Sequence, residues 1–366
     1  MIETLKPMDK VAIVSLSLGI LGEPFVKHEY DLGVKRLEEF GLVPVFMPNS
    51  LKGIDYLSKH PEKRADDLIE AFENKEIKGI ICAIGGEDAY KTFPYIVGNK
   101  KLEKAVKNNP KIFLGYSDTT NHHLILHKLG LPTFYGQSFL TDLAEFEDDM
   151  LEYSKKYFKM LFDSKESYEI EPADFWFEER TDFSANAVGT KRISHKNTGY
   201  EFLKSTKTVN GKLLGGCIEV LGELAGYFYD EDQTSDEFHK KVEIIKAYDI
   251  FPTLDEWKDK IMFIETANIK IAPETFRSII KTLKEKGVFS VISGMIVGKP
   301  MDNAFYDEYK QVLLEELAEF DFPLVLNANF GHGFPHAILP YDADAEINPS
   351  EKTFKILKTT LGTKND

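Results

Sequence analysis

Short apolar runs alternate with amphipathic segments along the first half of the chain. The runs at residues 10–16, 42–47 and 77–84 predict buried strands, and the segments 30–40 and 64–72, with apolar residues on one helical face, predict helices. A succession of strand, helix and strand is typical of a parallel α/β unit. The pattern therefore predicts an α/β fold with an N-terminal, mostly parallel sheet flanked by helices.

The first domain is predicted to span residues 1–165. A further apolar run at 111–115 predicts a strand that turns directly into a helix, and residues 131–136 predict another strand. A helix over 150–162 closes the domain. Polar and turn-forming residues are frequent in 166–198, and this composition predicts a linker.

The second half of the chain resumes the alternation and predicts a smaller C-terminal α/β or α+β domain over residues 199–366. Its predicted strands lie near residues 211–221, 260–265, 288–297, 323–332 and, as two edge strands, 337–347. Its predicted helices cover residues 273–286 and 306–320. Residues 229–259 are charged and interrupted, and we interpret them as an insertion or a flap near an active site.

Length and charge narrow the class of protein. At 366 residues the chain is too long for one compact core, which agrees with two domains. The net charge of −15 argues against nucleic acid and anionic membranes as partners, because phosphate contacts need clustered Lys and Arg. No apolar run has membrane-spanning or secretory character, so a soluble cytoplasmic protein is expected.

The cysteines and the motif content do not support metal chemistry. Cys82 and Cys217 lie far apart in apolar surroundings, which favours a reduced pair over a disulfide. Neither Cys-x-x-Cys nor His-Glu-x-x-His spacing occurs, so no metal site is predicted.

Ser117 is the first candidate for chemistry, since it follows the apolar run that ends at Gly115 and precedes a helix. A serine on such a turn is exposed, and its own amide and the next one lie at a helix N-terminus, where negative charge is stabilised. This is the logic of a nucleophile elbow, although Gly-Tyr-Ser-Asp differs from the Gly-x-Ser-x-Gly of the hydrolases that define the term. The alternative is that Ser117 and Asp118 are ordinary helix caps.

A glycine pair, Gly85-Gly86, ends the buried strand at 77–84 and is followed by Glu87. Glycines at the carboxyl end of a parallel strand allow close approach of the backbone to a ligand, and open α/β sheets bind ligands at that edge. Gly85 and Glu87 are therefore candidate substrate contacts, with a simple tight turn as the alternative. No Gly-x-Gly-x-x-Gly follows a strand, so a dinucleotide site is not predicted.

A carboxylate and an imidazole lie at the ends of two predicted strands of the second domain, at Glu265 and His332. Acyl transfer requires a hydroxyl that attacks, an imidazole that carries its proton and a carboxylate that orients the imidazole. Ser117, Glu265 and His332 supply these three groups. The backbone amides of Gly86 and Asp118 would then form an oxyanion hole, if the glycine turn faces the serine.

Each of these roles has an alternative. Glu265 would otherwise be a surface residue and His332 a residue of a turn, while His336 is a nearby competitor for the role of base. The histidines on the helix after Ser117 point poorly back at its N-terminus and rank lower: His122, His123 and His127. A noncatalytic small-ligand binding protein, in which Ser117 and the glycine turn cradle an anion, is the alternative of another class.

Motifs spread over nearly the whole chain are together similar to those of a known family. They are Arg64-Ala-Asp-Asp-Leu-Ile-Glu-Ala-Phe, Ala83-Ile-Gly-Gly, Gly115-Tyr-Ser-Asp-Thr-Thr, Phe134-Tyr-Gly, Gly211-Lys-Leu-Leu-Gly-Gly, Ile261-Met-Phe-Ile-Glu-Thr and Phe330-Gly-His-Gly-Phe-Pro. In these motifs the chain resembles the LD-carboxypeptidase family of serine peptidases, and within it the microcin C immunity (MccF-like) branch.

The resemblance implies a serine hydrolase with a Ser-His-Glu triad. Ser117 would be the nucleophile, His332 the general base and Glu265 its orienting partner, with the oxyanion hole formed by the amides of Gly86 and Asp118. The resemblance also implies that no metal or organic cofactor is needed, and it implies a homodimer.

Two substrates are candidates on the same resemblance. The immunity branch cleaves the amide between a C-terminal aspartate and a modified nucleotide, so a peptidyl or aminoacyl nucleotide is the expected substrate. Classical members instead remove the terminal D-amino acid of a muramoyl tetrapeptide in peptidoglycan recycling. The Asp174-Phe-Trp-Phe segment and the Glu265-Thr266 context look more like the immunity branch. Trp176 would stack on a nucleobase through its π-face, and a packing role is the alternative.

Overall fold

The computed structural model describes residues 2–229 and 233–362 of the chain. Its strands within these ranges are β1 (Ile2–Glu3), β2 (Lys10–Val14), β3 (Val43–Phe46), β4 (Ile77–Cys82), β5 (Ile112–Gly115), β6 (Phe134–Tyr135), β7 (Tyr168–Glu169), β8 (Phe175–Phe177), β9 (Ser194–Lys196), β10 (Glu201–Lys204), β11 (Val209–Cys217), β12 (Ile261–Glu265), β13 (Gly294–Gly298), β14 (Pro323–Ala328), β15 (Leu339–Pro340), β16 (Asp344–Asn348), β17 (Thr353–Lys358) and β18 (Leu361–Gly362). Its α-helices are α1 (Lys27–Glu39), α2 (Ile54–Lys59), α3 (Pro61–Glu73), α4 (Phe93–Ile96), α5 (Lys100–Asn108), α6 (Thr120–Lys128), α7 (Glu152–Lys159), α8 (Ile218–Ala225), α9 (Asp236–Tyr248), α10 (Leu254–Trp257), α11 (Pro273–Glu285) and α12 (Tyr306–Glu316).

The described residues fall into two compact units of similar length. One lies within Met1–Lys165, Arg180–Arg192 and Thr360–Asp366, and the other within Glu166–Glu179 and Ile193–Thr359. The segment predicted to be a linker is divided between the units and contains β7, β8 and β9. The domain boundaries at residues 165 and 199 stay a prediction.

The first unit is built on parallel strands in the order β6-β5-β4-β2-β3, which confirms the predicted α/β fold. Strands β2 and β4 are buried over nearly their whole length, because helices cover both faces of such a sheet. The chain runs from β2 to β3 on one side and returns to β4 on the other. Open α/β sheets bind ligands at this kind of switch point, beyond the carboxyl ends of the strands.

The second unit contains a mixed sheet in the order β10-β14-β13-β12-β11-β16-β17-β7. Its central strands, β11 to β14, are parallel, while β10 and β16 add to them in antiparallel orientation. The prediction of edge strands in residues 337–347 is wrong for β16, which lies between β11 and β17. We did not predict β17, and this strand covers the outer side of β16.

Three other segments of the second unit differ from the sequence prediction. Residues 218–221, predicted as part of a strand, begin helix α8 instead. Residues Val288–Ser290 form a 3₁₀ turn before β13. The region 229–259 contains α9 and α10, and its residues 230–232 lie outside the described residues. Its interpretation as a flap stays a prediction.

Two further features bear on chemistry and location. Cys82 and Cys217 are both buried, and neither forms a disulfide within the described residues. Of the helices in residues 2–229 and 233–362, none is long and apolar enough to cross a membrane.

Candidate active site

Ser117 lies on the predicted turn from strand to helix in the first unit. Strand β5 ends at Gly115, a 3₁₀ turn covers Ser117–Thr119, and α6 follows at once. Ser117 has a φ of +64°, in the left-handed region that is strained for residues other than glycine. Its amide donates to Tyr135 Oη at 3.2 Å, and its carbonyl accepts from Thr120 Oγ1 at 2.7 Å. These bonds hold the strained residue between strand and helix, as at a nucleophile elbow.

The glycine pair packs against this turn. A Cβ on Gly85 would lie 2.7 Å from Ser117 Cβ and 2.9 Å from its Oγ. Gly86 has a φ of +151°, and a Cβ there would lie 2.3 Å from Ser17 Oγ. The space that a side chain would need at each glycine is therefore occupied by other parts of the protein, the serine among them, while contact of Gly85 with substrate stays a prediction. Glu87, the other predicted contact on this turn, is exposed.

A buried polar network fixes the loops around the serine. The Asp118 carboxylate accepts from Ser17 Oγ at 2.5 Å and from Asn121 Nδ2 at 2.8 Å. Arg64, only 1% exposed, forms a bidentate ion pair with Asp88 at 2.6 and 3.0 Å. Both carboxylates therefore tie the segment after β2, the glycine turn and the start of α6 to their neighbours, which fixes the backbone on each side of the serine.

Two histidines of α6, His122 and His123, are structural in character. His122 and His123 are buried, and burial lowers the pKa of each imidazole to about 3, so both rings stay neutral. His123 Nε2 donates to Gly115 O at 2.9 Å, which leaves Nδ1 to accept from Thr133 Oγ1 at 2.7 Å. His123 thereby supports the strand end that precedes Ser117.

Glu265 and His332 meet in the second unit. Glu265 is the last residue of β12 and is 0% exposed. Its Oε2 accepts from His332 Nδ1 at 2.7 Å and from the His332 backbone amide at 3.1 Å. Since the carboxylate accepts from Nδ1, the neutral ring carries its lone pair on Nε2. Burial lowers the pKa of His332, but the Glu265 carboxylate outweighs burial and the pKa is raised above its ordinary value.

Glycines make room for this acid–base pair. Gly331 has a φ of +84°, and a Cβ there would lie 2.3 Å from Glu265 Cγ and 2.5 Å from its Oε2. A Cβ on Gly298, the last residue of β13, would lie 2.7 Å from Glu265 Cβ. The Phe-Gly-His motif therefore requires glycine because the buried carboxylate occupies the space of a side chain.

Trp176, in β8, is half-buried and stacks on His195 of β9, with ring centroids 4.2 Å apart. Lys299 Nζ lies 4.9 Å from the Trp176 ring centroid, and it donates to Asn303 Oδ1 at 2.7 Å and Asn327 Oδ1 at 3.1 Å. Burial lowers the pKa of Lys299 to about 8. We did not predict this lysine from the sequence. The only signal available there is its position two residues after the strand predicted over 288–297.

The predicted site residues are divided between the two units. Gly85, Gly86, Glu87, Ser117 and Asp118 belong to the first unit, and Trp176, Glu265 and His332 belong to the second. Within the first unit the structure brings the glycine turn to the serine, and within the second it joins the acid to the imidazole. In the part of the chain that the structure describes, no group of three or more His, Cys, Asp or Glu residues could hold a metal ion.

Comparisons with known proteins identify the family. The family model of the LD-carboxypeptidase N-terminal domain matches residues 11–136, and that of the C-terminal domain matches residues 210–347. An MccF-like protein from Streptococcus pneumoniae, solved in complex with AMP, is 47% identical, with a TM-score of 0.88 over 95% of this chain and 98% of that one.

Two relatives with assigned names show lower identity over similar lengths. A probable murein peptide carboxypeptidase of Bacillus subtilis is 26% identical over 88% of this chain and 85% of its own. The microcin C7 self-immunity protein MccF of Escherichia coli is 25% identical over 92% of this chain and 90% of its own. The chain is therefore a serine hydrolase that belongs to the LD-carboxypeptidase family, in its MccF-like branch.

Proposed function

We propose that the chain hydrolyses the amide bond of peptidyl or aminoacyl nucleotides of the microcin C type. The observation that carries this proposal is the AMP bound by a relative that is 47% identical over 95% of this chain. The Escherichia coli relative, a microcin C7 self-immunity protein, points to the same substrate class. An aromatic ring offers a π-face on which a nucleobase stacks, and Trp176 is the proposed contact, although His195 already stacks on its ring.

In the proposed first step, Ser117 Oγ attacks the carbonyl carbon of the scissile amide while His332 Nε2 takes its proton. Glu265 keeps the second proton of the ring on Nδ1 and stabilises the imidazolium that forms. The negative charge on the carbonyl oxygen is received by the amides of Gly86 and Asp118. The 2.7 Å bond from His332 Nδ1 to Glu265 supports this assignment, because it leaves Nε2 as the proton acceptor.

The second half of the reaction releases both products. The tetrahedral intermediate collapses, the bond from carbon to nitrogen breaks, and His332 gives its proton to the leaving nitrogen of the nucleotide part. An ester of Ser117 with the peptide remains. His332 then takes a proton from water, whose oxygen attacks the ester, and the peptide leaves as a carboxylate while the proton returns to Ser117.

A second candidate function is the removal of the terminal D-amino acid from a muramoyl tetrapeptide. The probable murein peptide carboxypeptidase of Bacillus subtilis, 26% identical over 88% of this chain, favours it. The same three residues would perform the same acyl transfer, so the two candidates differ in the groups bound on either side of the amide.

Separate incubation with aspartyl sulfamoyl adenosine and with a muramoyl tetrapeptide tests the choice. We expect mass spectrometry to show aspartate and sulfamoyl adenosine from the first compound. Hydrolysis of the tetrapeptide alone would reject the nucleotide proposal.

The role of Ser117 is tested with Ser117→Ala and the control Ser58→Ala, a serine of α2 in the same unit. Ser117→Ala should abolish turnover and leave the folded state intact, since one hydroxyl adds little to stability. The control should keep the wild-type rate. A near wild-type rate in Ser117→Ala would remove Ser117 from the mechanism.

We also propose that the protein is a cytoplasmic homodimer. Light scattering on the purified full chain should give twice the chain mass of 41.7 kDa. A mass that stays at one chain over the working concentration range would reject the dimer.

A further inference from the structure

The second unit contains another buried carboxylate near the acid–base pair, that of Glu219. This residue is 5% exposed and lies in the first turn of α8, two residues after β11 ends at Cys217. In the parallel pairing of β11 with β12, Cys217 lies opposite Glu265. Glu219 and Glu265 therefore follow neighbouring strands at the same edge of the sheet.

Both oxygens of Glu219 are engaged by neutral donors. Oε1 accepts from the Ala267 backbone amide at 2.9 Å, and Cys217 Sγ donates to Oε2 at 3.1 Å. Ala267 is two residues beyond Glu265, so the first bond fixes the segment that leaves the catalytic acid. Among the described residues no Lys or Arg pairs with Glu219. Its negative charge is stabilised by these bonds and by the N-terminus of α8.

The charge of Glu219 acts on the acid–base pair. Within the described residues, Glu219 interacts electrostatically with Cys217 from β11, Glu265 from β12, Tyr309 from α12 and the imidazole of His332. Burial, and then the neighbouring Glu265, raise the pKa of Glu219 to about 7. Glu219 therefore gains its charge in the pH range in which imidazoles titrate.

We propose that Glu219 is a positioning residue for His332: its bond to the Ala267 amide fixes the backbone beyond Glu265, and its buried carboxylate lies at the same edge of the sheet as Glu265. This inference rests on the triad of the proposed function. When Glu219 is ionised, its charge adds to those of Glu265 and Glu179, which also favour the protonated ring. The titrations of Glu219 and His332 are then coupled, so each depends on the protonation of the other.

The variant Glu219→Gln isolates the charge. A Gln keeps an oxygen for the Ala267 amide and directs its NH₂ at the Cys217 sulfur, so the local backbone is retained. Without this negative charge His332 loses its proton at lower pH. Because a general base must be neutral, the acid limb of the pH profile of kcat/KM should move to lower pH by about 0.5–1 unit. The control is Glu223→Gln, one turn further along α8, where the carboxylate pairs with Lys241. In this control variant the acid limb of the kcat/KM profile should stay at the wild-type pH.

An NMR titration of the His332 ring, assigned with His332→Gln, tests the coupling without turnover. The midpoint should fall by about 0.5–1 unit in Glu219→Gln and stay unchanged in Glu223→Gln. This readout remains valid even if Ser117→Ala keeps activity, so failure of the triad and failure of the coupling are distinguishable.

The wild-type titration is a test that needs no variant. Coupling to a second group near pH 7 should broaden the His332 curve beyond that of a single site. A simple one-site curve in the wild type would overturn the proposal. So would an unchanged midpoint in Glu219→Gln, or an equal shift in Glu223→Gln.

Discussion

Replacing Glu265 with Gln removes one charge from the centre of the second unit with little change in shape. The carboxylate is 0% exposed, and its Oε2 accepts both the Nδ1 proton and the backbone amide of His332, at 2.7 and 3.1 Å. An amide oxygen still accepts one of these bonds. It does not supply the negative charge that stabilises an imidazolium, and its NH₂ competes for the place opposite Nδ1.

Two effects determine how far kcat falls in Glu265→Gln. A hydrogen bond to a charged group contributes about 1.5–3 kcal/mol and a neutral one about 0.5–1.5 kcal/mol, so the imidazolium loses roughly 1–1.5 kcal/mol of stabilisation. If the amide nitrogen faces Nδ1, the ring takes the tautomer with its proton on Nε2, and the base is unavailable to the serine. Loss of the tautomer in a comparable triad costs about 10⁴ in kcat. We therefore expect Glu265→Gln to lower kcat by roughly 10³–10⁴-fold, or about 4–5.5 kcal/mol.

The assay is steady-state hydrolysis of the substrate that the wild-type enzyme turns over, with folding checked by thermal melting. KM should change far less than kcat, because Glu265 acts on the imidazole and not on the ground-state substrate. Glu265→Asp keeps the charge one methylene further away and should lose less activity than the Gln variant. A Gln variant within tenfold of the wild-type rate would refute the role of Glu265 as orienting acid.

Two stability predictions use matched controls. Gly331→Ala should lower the free energy of unfolding, measured by urea titration, by about 1–3 kcal/mol more than Gly98→Ala does. Both glycines have a positive φ, but only a Cβ at Gly331 would meet the Glu265 carboxyl. Equal losses in the two variants would contradict the predicted clash. Burial raises the pKa of Glu29 from its ordinary value of 4.5 to about 7, so between these pH values the folded carboxyl keeps a proton that the unfolded chain releases, and stability falls as the pH rises through this window. Glu29→Gln should therefore add about 1–3 kcal/mol at pH 8 and nothing at pH 4, while the exposed Glu38→Gln should add nothing at either pH, as chemical unfolding at both would show.

Much of the candidate site could be predicted because its residues follow regular elements. An apolar run followed by a helical pattern placed Ser117 on its turn, since both signals are local. Glu265 and His332 could be paired because groups beyond the ends of parallel strands share one edge of a sheet. The linker prediction missed β7 to β9, because strands of two or three residues are too short to show a period.

Glu219 and Lys299 show the limit of pattern reasoning. In the sequence Glu219 lies within the predicted strand region 211–221, and Lys299 lies two residues beyond the strand predicted over 288–297. Both are buried in the structure, at 5% exposure each, because pairing with distant strands encloses them. The pairing of Cys217 with Glu265 spans a chain separation that no local period encodes. Buried charges of this kind are therefore recognised only once the register of the sheet is known.

Three glycines near the candidate site are interpreted differently from the sequence and from the structure. Gly85, Gly298 and Gly331 mark positions where the backbone must approach something closely, and a ligand is the usual interpretation at strand ends. In the structure the first approaches Ser117 and the other two approach Glu265. A side chain at any of them would displace Ser117 or Glu265, the residues proposed as nucleophile and orienting acid. If Ser117 and Glu265 have the proposed catalytic roles, substitution of these glycines should lower activity even where the substrate does not touch them.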